Sequence, residues 1–131
     1  MASRDAAAHM WSRTDLQPDD VDVAELYDGF SWLAMAWLEA LGFCGRGEGG
    51  VFFAEGSASL GGKLPINTHG GMLAHAHAGA VGGLMGIIEA VRQLRGGQGE
   101  RQVHGAELAL VHNEGGILSS HCTLILGTQS A

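Results

Sequence analysis

Glycine constrains this chain more than any other residue type. It fills 22 of the 131 positions, and eight of those lie between positions 42 and 62. The share is more than twice the usual value of about 7%. Without a three-residue period, and with only 2 prolines, the glycines cannot belong to a collagen. A hydrophobic fraction of 46% with 16% charge excludes a disordered chain. The glycines therefore serve a folded protein, and 131 residues suffice for a core within one domain.

Charge narrows the partners. Seven Lys and Arg against 14 Asp and Glu give a formal net charge of -7, and no basic cluster stands out. A nucleic-acid surface needs local positive density, so no nucleic-acid partner is expected. Cys44 and Cys122 lie too far apart for a metal-type pair and are read as small buried apolar residues. The opening Met1-Ala-Ser-Arg-Asp lacks the order of a signal peptide. The uncharged stretch 64–88 holds Asn67, three histidines and six glycines, which is no membrane span. A cytoplasmic location is the expectation.

Hydrophobic periodicity predicts a helix over 2–13, a turn at Gln17-Pro18-Asp19-Asp20 and a short strand over 21–26. The bulky apolar run 30–41, stopped by Gly42, predicts a buried helix. A long glycine-rich loop follows, with one brief strand at Val51-Phe52-Phe53. A strand over 64–67, a turn over 68–72 and a helix over 78–95 come next. Strands over 106–111 and 121–126, separated by Asn113-Glu114-Gly115-Gly116, finish one α/β domain covering 1–131. Gly79-x-x-Gly82-Gly83-x-x-Gly86 falls inside the predicted helix, so close packing explains it better than a dinucleotide turn.

Three segments concentrate chemistry just past the ends of predicted strands, where ligands bind in open α/β sheets. They are Tyr27-Asp28-Gly29-Phe30, Asn67-Thr68-His69-Gly70-Gly71 with His75-Ala76-His77-Ala78-Gly79, and His112-Asn113-Glu114-Gly115-Gly116. Glycine lets backbone N–H groups approach a developing oxyanion, and histidine moves protons near neutral pH. The combination suits reactions at a thioester or carbonyl carbon. His75-x-His77 lacks a clear third ligand, so no metal site is expected.

In order and spacing, these segments resemble the C-terminal half of the thiolase superfamily, in its sterol-carrier and lipid-transfer-protein branch. Residues 20–30 resemble the segment ending in Asn-Glu-Ala-Phe or His-Asp-Cys-Phe. Leu41-Gly42-Phe43-Cys44 and the Gly-Glu-Gly-Gly that follows match that branch, and residues 67–79 resemble the glycine pair followed by Gly-His-Pro. The resemblance implies a mixed sheet with helices on its faces, lacking the first strand of that half.

By the same resemblance, His77 matches the histidine that activates the nucleophilic cysteine and helps form an oxyanion hole. Tyr27 takes the place of the Asn or His that positions a water or a substrate oxygen, and His112 falls where other thiolases carry an acid/base cysteine. These three are the expected catalytic residues; Asp28, Asn67, His69, Gly70, Gly71, Gly115 and Gly116 are the expected substrate-binding ones. Three positions depart from the family pattern. Gly29 replaces the acid/base cysteine of sterol-carrier types, and Ala76 and Ala78 replace the neighbours of the histidine. The altered site resembles lipid-transfer-type relatives, some of which cleave β-hydroxyacyl-CoA thioesters by a retro-aldol route.

What the resemblance implies about function is C–C bond making or breaking beside an acyl-CoA thioester, with no cofactor beyond that substrate. It implies as partners an upstream half carrying the nucleophile, or a separate subunit, and a homo-oligomer built on an unpaired sheet edge. A non-catalytic acyl-CoA- or lipid-binding module is the alternative.

Overall fold

The computed structural model describes residues 2–116 and 118–128. Its frame is a three-stranded mixed sheet in the order β1-β2-β3. β1 (Val23–Leu26) runs parallel to β2 (Leu108–Gly115), and β2 pairs antiparallel with β3 (Ser120–Gly127). The parallel pair needs a long crossover, and residues 27–107 supply it. The crossover carries α2 (Ser31–Leu41), α3 (Gly49–Ala54), the single turn α4 (Gly71–Ala74) and α5 (Gly82–Leu94); α1 (Ala2–Trp11) precedes β1. The expected mixed α/β sheet with helices on its faces is present.

Strand alternation divides the core into two layers. Ala24 and Leu26 of β1, with Leu110 of β2, pack against Ala7 of α1 and Leu33, Trp37, Leu38 and Leu41 of α2. Val23, Ala109 and Val111 point the other way, onto Ala90, Ile87 and Leu94 on the α5 side. Each fully buried Val or Leu among these contributes about 1.5–3 kcal/mol. Trp11 also donates its indole N–H to the Leu41 carbonyl at 2.9 Å, satisfying an acceptor at the end of α2. That helix stops at Gly42, whose φ of 90° turns the chain away.

The α5 glycines are packing glycines. A β-carbon at Gly86 would stand 3.1 Å from Cβ of Glu25 and 3.5 Å from Cγ1 of Val111, so the helix lies directly on the sheet.

Several boundaries differ from the sequence reading. Residues 64–67 form only an isolated parallel bridge, Ala24 to Ile66. Pro65 has no N–H to offer, and Asn67 leaves extended geometry with φ 51°, so the ladder stops after one rung. The expected strand at 51–53 is instead the helix α3, which buries Phe52 and leaves Val51 and Phe53 exposed. Alternating pairing would have divided those side chains between two faces; one helical turn needs only Phe52 inside. Gly79, at φ 58°, delays α5, and a 3₁₀ turn (Gly79–Val81) precedes it. β2 continues through Gly115, because Asn113, Glu114 and Gly115 pair with Cys122, His121 and Ser120. Cys122 is exposed rather than buried, since α5 covers β1 and β2 and leaves this end of β3 open.

Candidate active site

The end of β1 and the segment between α4 and α5 build the site. Tyr27 follows β1 directly, and its N–H donates to the His112 carbonyl at 2.9 Å, which fixes its backbone to β2. Fifty residues later, His77 stands over it: Tyr27 Oη lies 3.1 Å from His77 Nε2, with the rings edge to face. The two open onto a cleft of about 430 Å³ with walls from Phe30, Trp32, Leu33 and Leu118 and a floor from Glu114, Gly115 and Gly116. Phe30 and Trp32 are exposed apolar side chains, so the cleft mouth favours an apolar ligand.

Electrostatics keep Tyr27 protonated. Burial, then the nearby charges of Glu114 and Asp28, push its phenol above the ordinary tyrosine range. A free phenolate is thereby disfavoured. The hydrogen-bonded pair has another route: Tyr27 passes its proton to His77 as it accepts one from a ligand oxygen.

Gly29 is explained by the same ring. A β-carbon at position 29 would stand 2.7 Å from Cζ and 2.9 Å from Cε1 of Tyr27, closer than side chains approach. Any side chain at position 29 would have to displace the Tyr27 ring.

Gly115 and Gly116 line the Tyr27–His77 cleft. Asp28 is buried behind it and accepts the Met72 N–H at 2.7 Å, at the start of α4. Gly71, at φ 66°, faces this carboxylate at a distance no side chain would tolerate, and Gly70 adopts φ 100°. Asn67 turns its whole amide on Leu26: Oδ1 accepts the Leu26 N–H at 2.7 Å and Nδ2 donates to its carbonyl at 2.9 Å. Asp28 and Asn67 thus stitch the 67–72 segment to the end of β1.

His69 belongs to a different cleft. Its Nδ1 is 2.9 Å from Oε2 of the buried Glu25, and its ring lies 5.9 Å from that of His75. The Glu25 carboxylate holds His69 above the usual histidine range, against the opposing effect of burial. His75 and His77 therefore diverge, one toward His69 and one toward Tyr27.

His112 is fully buried below the Tyr27 cleft and is absent from its lining. Nδ1 lies 2.7 Å from Thr123 Oγ1, its ring stacks on His121 at 5.3 Å, and Trp37 covers it at 5.4 Å. Burial, then the His121 charge, lowers it to about 4. Sequence reasoning gave no role to Glu114, whose Oε2 is buried without a partner among the described residues. The available signal was its place two residues beyond His112, on the same strand face.

A family profile described as thiolase C-terminal domain-like matches residues 1–128. The chain belongs to that family. Among its relatives, 17-hydroxy-3-oxo-4-pregnene-20-carboxyl-CoA lyase of Mycobacterium tuberculosis is 47% identical over 118 residues, 90% of this chain and 29% of the lyase. Human sterol carrier protein 2 is 42% identical, over 86% of this chain and 21% of its own length. Acetyl-CoA acetyltransferase of Methanothermobacter thermautotrophicus is 40% identical, over 88% and 30%. A solved Ltp2-ChsH2(DUF35) aldolase superposes with a TM-score of 0.84 at 38% identity, covering 98% of this chain and 32% of that one. The thiolase C-terminal domain-like chain thus spans a third or less of each of these relatives.

Proposed function

We propose that this chain is the C-terminal part of a lipid-transfer-type, thiolase-like enzyme that makes or breaks a C–C bond beside an acyl-CoA thioester. The observation that carries this is the Tyr27–His77 hydrogen bond at the mouth of an apolar cleft. In the retro-aldol direction, a β-hydroxyl donates its proton to Tyr27 Oη while Tyr27 donates to His77 Nε2. The hydroxyl oxygen becomes a carbonyl, and the electron pair of the breaking C–C bond passes toward the thioester. Such a relay uses no cysteine at position 29, which favours aldol chemistry over two-cysteine Claisen chemistry. Two relatives, a carboxyl-CoA lyase and a steroid side-chain-cleaving aldolase of Thermomonospora curvata, bear names in keeping with this chemistry.

In this scheme Gly115 and Gly116 give the acyl chain room, and Asp28, Asn67, Gly70 and Gly71 hold the loop that presents His77. His112 supports the β2 end from beneath, and a direct catalytic contact is not assigned to it. The CoA thioester is the substrate and no further cofactor is invoked. The partners proposed are an upstream thiolase half or a separate subunit, in line with the two components named in the aldolase structure, and further copies of the chain. No helix among the described residues is long and apolar enough to cross a membrane. A cytoplasmic location is part of the proposal.

The test joins the chain to a thiolase N-terminal half and assays cleavage of a β-hydroxyacyl-CoA. Tyr27→Phe and His77→Ala are expected to lower kcat by about 10²–10⁴. Unchanged rates in both variants would overturn the assignment.

A further inference from the structure

No basic cluster stands out along the sequence, yet the fold assembles one. His69, His75, Arg92 and Arg101 converge on a cleft of about 250 Å³ that shares no wall residue with the Tyr27–His77 cleft. In a chain of net charge -7, only one carboxylate, that of Glu89, stands among them. Met85, Ile88, Glu89 and Arg92 recur at the spacing of one helical face, so α5 supplies one wall. Arg101 comes from the 3₁₀ turn Gly99–Arg101, and His69 and His75 flank α4.

Two buried carboxylates hold these cations from behind. Glu25 lies outside the cleft wall, and its Oε2 is 2.9 Å from His69 Nδ1. That contact favours the charged ring, in keeping with the raised His69, and leaves Nε2–H to donate to a ligand. Glu89 is answered within the protein. Its Oε1 lies 2.7 Å from Thr68 Oγ1 and 3.2 Å from Gln93 Nε2, while Oε2 faces Gln98 Nε2 and, at 3.5 Å, Arg101 Nη2. This engages one arm of an arginine fork with five N–H donors, and the Arg101 side chain stays half exposed.

Arg92 is the surplus charge. Among the described residues its guanidinium has no hydrogen-bond or ion-pair partner. The negative end of α5 opposes it by at most about half a charge. That end is partly satisfied already, because the Val91, Arg92 and Gln93 carbonyls accept the N–H groups of Arg95, Gly97 and Gly96.

We propose that this cleft is an oxyanion site for a phosphate group, with Arg92 and Arg101 as its forks and His69 as a third donor. The donors come from three separate elements. They suit the several oxygens of a phosphate better than the two coplanar oxygens of a carboxylate. His75, its ring 5.9 Å from that of His69, offers a further donor, and Met85 and Ile88 give apolar contact to the body that carries the phosphate. A phosphate of CoA and a free phosphorylated metabolite present the same group.

Histidine-ring NMR of the whole chain tests this, with inorganic phosphate titrated in at fixed pH and chloride holding the ionic strength constant. The His69 and His75 signals are expected to shift along one saturating curve, while the buried His112 stays unchanged. Arg92→Gln is expected to weaken binding at least about tenfold. Arg92→Lys loses less, because the charge survives and the fork does not. Arg92 is exposed, so both variants are expected to fold. Tyr27→Phe is expected to bind phosphate as wild type does, which separates this site from the proposed reaction. Competition names the source: displacement of phosphate by CoA assigns the group to the thioester substrate, and retention against CoA assigns it to a free metabolite, the site standing in both cases. An unsaturable response, an equal response to chloride alone, or unchanged affinity in Arg92→Gln would overturn it.

Discussion

The Tyr27 ring lies across Gly29, so that a β-carbon at position 29 would overlap the phenol. The two residues are therefore coupled. Gly29→Ala is expected to displace the ring and break its 3.1 Å hydrogen bond to His77, with little loss of global stability. Activity in the reconstituted enzyme falls at least about tenfold, because a misplaced proton carrier forfeits its geometry. The check is the rate of Gly29→Ala beside that of Tyr27→Phe: full activity in the alanine variant would mean that the ring has no fixed role.

Asn67 combines a positive φ with two hydrogen bonds to Leu26. Asn67→Gly relieves the backbone cost but removes the bonds, at about 1 kcal/mol each. Asn67→Ala loses the bonds and adds strain of about 1 kcal/mol. Denaturant melts are expected to rank wild type above Asn67→Gly above Asn67→Ala. The reverse order for the two variants would refute the clamp.

His112 makes stability pH-dependent. Its folded value of about 4 lies below the ordinary 6.5, so between those values the unfolded chain binds more protons than the native one. Stability is full above about pH 6.5 and falls as the pH drops toward 4, by about 3 kcal/mol in all. Denaturation at a series of pH values is expected to show this slope, and His112→Gln to remove most of it. A slope of equal size in the variant would assign it to other groups.

Gly86→Ala sets two effects against each other. Helix propensity gains about 1 kcal/mol, whereas overpacking against Glu25 and Val111 costs about 1–3 kcal/mol. Net destabilisation is expected. Gly83→Ala, whose β-carbon would meet Asn113 at 3.4 Å, is expected to be neutral or stabilising. Equal melting temperatures for the two variants would mean that α5 does not ride on the sheet at Gly86.

The main elements were legible because local chemistry agrees with tertiary placement. A bulky apolar run closed by a left-handed glycine makes α2, and the alternating runs make the strands. Residues 49–54 were not legible as a helix, since three adjacent apolar residues fit either period and only Phe52 finds a core partner. Tyr27 and His77 were each singled out from family motifs fifty residues apart, but their hydrogen bond is visible only in the fold, since no periodicity connects them. Spacing also could not separate His69 from His77: eight residues apart, they turn to different clefts because Glu25 captures the first. Nor could it show that the Asn67 amide is consumed by Leu26.

Asn67 and Asp28 fasten the chain to the end of β1 at 67–72, and residues 73–81 beyond them are all exposed. The two halves of the proton pair therefore have unequal freedom. Tyr27 is mounted on the sheet, while His77 rides on a span anchored at both ends and free in the middle. Local opening there costs less than unfolding of the core. Amide exchange is thus expected to be fast across the span and slow at Leu26 and Met72, so an arriving ligand meets a stationary tyrosine and a hinged histidine.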